Sequence, residues 1–93
     1  MSLEGALDDA GQWVAGFHPN GIENQAKKVA KEGAEFAETP TLAEAADVFI
    51  TLAGSVVIQG WSWDEVAAAI RVKMVTNRGR RWAQLPDGTW QHT

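Results

Sequence analysis

Residues 31–52 read KEGAEFAETPTLAEAADVFITL, and this stretch decides the fold. It holds two acidic pairs at one spacing, Glu32-Gly33-Ala34-Glu35 and Glu44-Ala45-Ala46-Asp47. Both segments otherwise read as helix, and on a helix residues i and i+3 project from one face. Thr39-Pro40-Thr41 is a short link, so the two helices are expected to be antiparallel neighbours. Only eight residues separate Glu35 from Glu44, which puts both pairs near the same end of the hairpin. Four carboxylates gathered there repel one another unless a positive charge stands between them. A hard divalent cation such as Mg²⁺ is the usual answer.

The second pair stands out because of its surroundings. Leu42, Ala45, Val48, Phe49, Ile50, Leu52, Val56 and Ile58 make the third helix apolar nearly all round, which normally means a buried helix. Glu44, Asp47, Thr51 and Ser55 form one narrow polar stripe on it. A carboxylate on a buried helix needs a partner or a metal. Glu44 also has a plain structural use, since Thr41-Leu42-Ala43-Glu44 fits a capping box. Single Glu-x-x-Glu pairs are common on solvated helix faces.

The second helix spans Ile22 to Glu38, with Ile22, Ala26, Val29, Gly33 and Phe36 on its apolar face. Lys27, Lys31 and Glu38 fall opposite; Glu32 lies at the edge of the stripe and Glu35 a little further round. Gly33 marks either close helix approach or drift. Upstream, Ala6 to Phe17 forms a first helix carrying Leu7, Ala10, Trp13, Val14 and Phe17, and His18-Pro19-Asn20-Gly21 breaks it. Met1 to Gly5 carries little pattern.

The third helix ends near Gln59-Gly60. Trp61 after it is a stacking surface for a base or an apolar lid on the helix end. Ser62-Trp63-Asp64-Glu65 starts a fourth helix that runs to about Arg80. Its buried face is expected to be Trp63, Val66, Ala67, Ile70 and Met74. That stripe continues into Asn77 and Arg81, with Lys73 on its flank. Helix-end dipoles account for the arginines; they do not account for Asn77 on the core side. Pro86-Asp87-Gly88 is a turn in the tail, which folds back over the bundle if Trp82 or Trp90 anchors it.

The expected fold is therefore all-α, a four-helix bundle-like subunit forming one domain over 1–93. The apolar third helix is too much for one small subunit to cover, so a homodimer or homotetramer is expected. There are no cysteines, hence no disulfide framework and no thiolate chemistry; a reducing, cytoplasmic setting fits. A net charge of −4 speaks against nucleic acid as a partner, and the acids within the longest apolar run speak against a membrane span. The acids, Lys73, Asn77 and Arg81 together suit metal-assisted phosphoryl or nucleotidyl chemistry. No Gly-x-x-x-x-Gly-Lys loop and no Glu-x-x-His motif is present.

With Glu32, Glu35, Glu44 and Asp47 in the order Glu-x-x-Glu, link, Glu-x-x-Asp, the sequence resembles the MazG-like all-α nucleoside triphosphate pyrophosphohydrolases. Lys73-x-x-x-Asn77, Arg81-Trp82 and Asp87-Gly88 resemble the basic nucleotide-binding end of the same superfamily. The likeness runs from about Trp13 to His92. It implies Mg²⁺-dependent (or Mn²⁺-dependent) hydrolysis of a nucleoside triphosphate between the α- and β-phosphates, giving the monophosphate and pyrophosphate. It implies that the four acids hold the metal and that Glu35 orients or deprotonates the attacking water. Lys73 and Arg81 would meet phosphates, Asn77 sugar or phosphate, and Trp13, His18 and Trp61 are candidates for the base end. The resemblance also implies dimers or tetramers. Phosphoribosyl-ATP as substrate, or a non-catalytic helical interaction module, are the alternatives.

Overall fold

The computed structural model describes residues 2–17 and 21–93. Among them the chain forms four α-helices, α1 (Leu3–Ala15), α2 (Ile22–Glu38), α3 (Leu42–Gln59) and α4 (Trp63–Arg78), then two short strands, β1 (Trp82–Gln84) and β2 (Trp90–His92). The all-α class holds. The chain divides into two compact units, Met1–Trp63 and Asp64–Thr93.

In the first unit α3 is central and packs on both α1 and α2. Local chemistry sets its ends. The Thr41 hydroxyl accepts from the Glu44 N–H at 3.3 Å. At the far end Gly60 takes φ 72°, its N–H donates to Val57 O, and the Trp61 N–H reaches back to Val56 O. This is a Schellman stop, and glycine is favoured there because a side chain resists the left-handed conformation. Pro40 closes the α2–α3 link, so the hairpin is tight. Helix α1 starts earlier than its apolar pattern suggests: Ser2 caps it by accepting from the Gly5 N–H at 3.0 Å. An Nε1–H···Oδ1 bond of 3.1 Å from Trp63 to Asp8 ties the chain after α3 to α1.

The α1–α3 contact depends on small residues. A Cβ on Gly11 would sit 2.6 Å from both Ala53 O and Val57 Cγ2, and one on Gly54 would strike Val14. Gly33 is different, because a Cβ there would meet open space. The close-approach reading of Gly33 is therefore not met within this chain. Two substitutions should move in opposite directions. Gly11→Ala pushes a side chain into backbone, at an overpacking cost of ~1–3 kcal/mol. That outweighs the ~1 kcal/mol by which alanine improves a helix interior. Gly33→Ala keeps only the gain. Thermal melts should show Gly11→Ala below and Gly33→Ala above the wild type; the reverse order would overturn the packing account.

The inner face of α2 is shifted from the expected apolar stripe. Its buried residues are Gln25 and Glu32, while Ala26 and Phe36 are exposed. Gln25 earns its place by donating Nε2–H to Thr51 O at 2.9 Å, a bond that crosses from α2 to α3. Thr51 and Ser55, on the polar stripe of α3, are buried and bonded to carbonyls one turn back, those of Val48 and Thr51. By length and composition alone α3 is apolar enough to cross a membrane, with a mean hydropathy of 1.5 over 18 residues. Its flank nevertheless carries buried, satisfied polar groups. Nor is it buried all round, since Leu42 is 88% and Phe49 52% exposed.

In the second unit α4 ends at Arg78, two residues short of the expected limit, where Gly79 closes the last turn onto Val75 O and Thr76 O. No residue of α4 is buried, and Ile70 is 57% exposed, so its apolar stripe is an open face within one chain. The tail is a β-hairpin that the sequence reading did not anticipate. Its strands run antiparallel in the register Trp82↔His92, Ala83↔Gln91, Gln84↔Trp90. Asp87 Oδ1 holds the turn, accepting from the Thr89 hydroxyl at 2.7 Å and the Thr89 N–H at 2.9 Å. The Trp82 indole N–H donates to Asn77 O at 2.8 Å and pins the hairpin to the end of α4.

Candidate metal centre

Both acidic pairs lie at the turn end of the α2–α3 hairpin, where the short link puts them. One carboxylate oxygen each from Glu32, Glu35 and Glu44 lies within 4.8 Å of the others. Glu32 is buried, Glu44 half-buried and Glu35 exposed. The Glu44 carboxylate is not spent on a capping box, because the Thr41 N–H donates to Thr39 O at 2.8 Å instead.

The electrostatics differ within the cluster. The Lys28 ammonium lies 2.8 Å from Glu32 Oε1. That bond, followed by one from Glu35, holds Glu32 below the usual carboxylate range. Glu35 moves the other way: its carboxyl bonds to Glu32, whose charge, burial and then Glu44 push its pKa up. Lys28 is itself raised, first by the bond to Glu32 and also by the charges of Glu35 and Asp47. With the acids ionised, Oε2 of Glu32 and Oε2 of Glu44 are buried and have no hydrogen-bond partner. Buried carboxylate oxygens left unpaired are costly, so two of them on members of a three-carboxylate cluster fit a hard cation with oxygen ligands.

Asp47, expected as a fourth buried acid, is exposed and stands outside this three-acid group, one helical turn beyond Glu44; it lines a cleft of about 410 Å³ together with Glu32 and Lys28. The cleft's other walls are Trp13 and Val14 from α1, Phe17 just after it, and Ile50 and Thr51 from α3, with Gln25. Trp13 and Phe17 meet edge to face, centroids 4.8 Å apart at 88°. The cleft thus joins aromatic walls, two acids and one lysine in a single lining.

His18 lies outside the described residues. Trp61 follows the C-terminal end of α3 and is 49% exposed; Asp47 is twelve residues before that end, roughly 18 Å along the axis at 1.5 Å per residue. This chain's own Trp61 is thus not brought to its cluster. Lys73, Asn77 and Arg81 belong to the second unit. Lys73 and Arg81 are exposed, and Asn77 is half-buried with its carbonyl taken by Trp82. Lys28, Phe17 and Gln25 were missed. Lys28 had a readable signal, as it precedes Glu32 by four residues, the spacing of a helical ion pair.

No protein-family model matches the sequence, and no curated protein matches it. Among solved structures, a cyanophage S-2L MazG-like pyrophosphohydrolase superposes with a TM-score of 0.76 at 25% sequence identity, over 100% of this chain and 99% of that one. That protein was solved bound to dGDP and three catalytic Mn²⁺ ions per active site. The chain belongs to the MazG-like superfamily. The likeness over the whole chain agrees with the helical class.

Proposed function

We propose that this chain is a nucleoside triphosphate pyrophosphohydrolase that depends on Mg²⁺ or Mn²⁺. The observation that carries the reading is the cluster of Glu32, Glu35 and Glu44 with its two buried, unpartnered oxygens. The cyanophage protein's bound dGDP and Mn²⁺ support a nucleotide and a divalent metal.

Glu32, Glu35, Glu44 and Asp47 would hold the cation. When bound, it supplies counter-charge for the phosphates and acidifies water. Glu35, the acid whose proton affinity is raised, takes the proton from the attacking water. The water oxygen bonds to phosphorus as the bridging α–β P–O bond breaks, and pyrophosphate leaves with that electron pair. The base enters the slot walled by Trp13 and Phe17, whose faces suit stacking. Lys73 and Arg81 take phosphates and Asn77 sugar or phosphate, while His18 and Trp61 remain base-end candidates. The chain works as a homodimer or homotetramer, a reading supported by the open apolar side chains of Leu42, Phe49 and Ile70.

Incubation with a panel of ribo- and deoxynucleoside triphosphates plus phosphoribosyl-ATP, with MgCl₂ or MnCl₂, checks this. At least one nucleotide should yield pyrophosphate and its monophosphate in equal amounts. Release of orthophosphate with a diphosphate, or no turnover of any member, would reject the proposed reaction.

A further inference from the structure

We propose that Lys28 is a positioning residue of the metal centre, anchoring Glu32 by one oxygen so that the other is offered to the cation. The inference rests on the metal-centre reading above. The two oxygens of Glu32 have different surroundings: Oε1 receives the Lys28 ammonium at 2.8 Å, whereas with the neighbouring acids ionised Oε2 is buried with no hydrogen-bond partner. The Glu32 side chain is only 10% exposed, and that of Lys28 is 55% exposed. One end of this pair therefore has little room to move and the other is supplied from the rim.

Helix geometry fixes the contact. Lys28 precedes Glu32 by one turn of α2, so the two side chains lie on the same face. That face lines the cleft, and Asp47 reaches the same cleft from α3. Lys27 and Lys31 sit to either side of this column and are exposed. Lys28 is itself partly open to solvent, but its ammonium is bonded to Glu32, and its charge offsets the burial of that carboxylate when no metal is present. A carboxylate ligand held through one oxygen presents the other in a single orientation. Loss of such a supporting partner typically weakens a metal site ~10–100-fold.

Simple electrostatics predicts the opposite sign. Deleting a positive charge beside a cation site removes repulsion and should tighten binding. The sign of the change is therefore diagnostic. Calorimetric titration of MnCl₂ into the intact, nucleotide-free protein compares the wild type with Lys28→Met and Lys28→Arg. Lys28→Met should bind Mn²⁺ roughly tenfold or more weakly, and Lys28→Arg, which can reach the same oxygen, should stay close to wild type. Helical CD on each variant verifies the fold, and if Lys28→Met does not fold the arginine variant and Lys28→Gln carry the comparison. Unchanged affinity in Lys28→Met would reduce the pair to a surface contact. Tighter binding would make Lys28 a competitor of the metal; either result overturns the proposal. Absence of Mn²⁺ binding by the wild type would instead reject the metal centre itself, so the two failures are distinguishable.

Discussion

Glu35→Gln is expected to lower the rate of nucleotide hydrolysis by at least about two orders of magnitude, the usual cost of losing a catalytic base or metal ligand. Glutamine keeps the size of the side chain and can still hydrogen-bond to Glu32. It removes the charge and the basicity. Glu35 is the acid whose proton affinity is raised, first by its bond to Glu32 and then by the charge of Glu32. A group in that position accepts a proton near neutral pH more readily than an ordinary glutamate does. The substitution also relieves repulsion, so the metal-free fold should be no less stable, and a lost rate cannot be assigned to unfolding. Glu38→Gln is the control, one turn further along α2 and exposed outside the cluster. It should retain the wild-type rate. A Glu35→Gln variant that hydrolyses nucleotide as fast as wild type would remove Glu35 from the reaction.

The legible parts of this chain were those governed by local chemistry. Pro40, the Thr41 cap and Gly60 fix α3 and the end of α2, and the acid spacing followed from helix geometry once those ends were set. Ile22, Val29 and Gly33 of the expected face of α2 are half-buried, but its most buried residues lie one column round, where apolar patterning gives no signal. The two buried residues of α2 are polar: Gln25 bonds to Thr51 O, and Glu32 joins the acids. Seven residues, two helical turns, separate these two, so the buried column could have been found by starting from Glu32. The hairpin was not legible beyond its turn. Strands of three residues are too short to show alternation, and their register depends on the Trp82–Asn77 and Asp87–Thr89 bonds. Burial along α4 was not legible either, since an apolar stripe states that a surface is to be covered and not by what.

Saturating MgCl₂ or MnCl₂ should raise the melting temperature well beyond what NaCl does at the same ionic strength. At one hundred times the dissociation constant, a ligand that binds only the folded state adds about 2.7 kcal/mol. For a domain of this size each kcal/mol moves the midpoint by about 4–8 °C, so a rise of roughly 10–20 °C is expected. The pH dependence of the metal-free protein should show the reason. Glu35 has a folded-state pKa above its ordinary value of 4.5. Its contribution to stability is complete below that value and is lost as pH rises through the raised pKa. Glu32, held low by Lys28, has the opposite sign: its contribution is present above the ordinary range and is lost as pH falls through the lowered pKa. Above the raised pKa the fold therefore keeps the help of the Lys28–Glu32 pair and has lost that of Glu35, which is the state a divalent cation relieves. Glu44→Gln removes one of the three clustered charges, and with it the demand of a buried, unpartnered carboxylate oxygen. It should leave the metal-free melting temperature equal to or above the wild type and blunt the response to metal. Superimposable wild-type melts in MgCl₂, MnCl₂ and NaCl would mean that the cluster does not hold a cation by itself. A wild-type shift that Glu44→Gln fully retains would place the cation elsewhere on the chain.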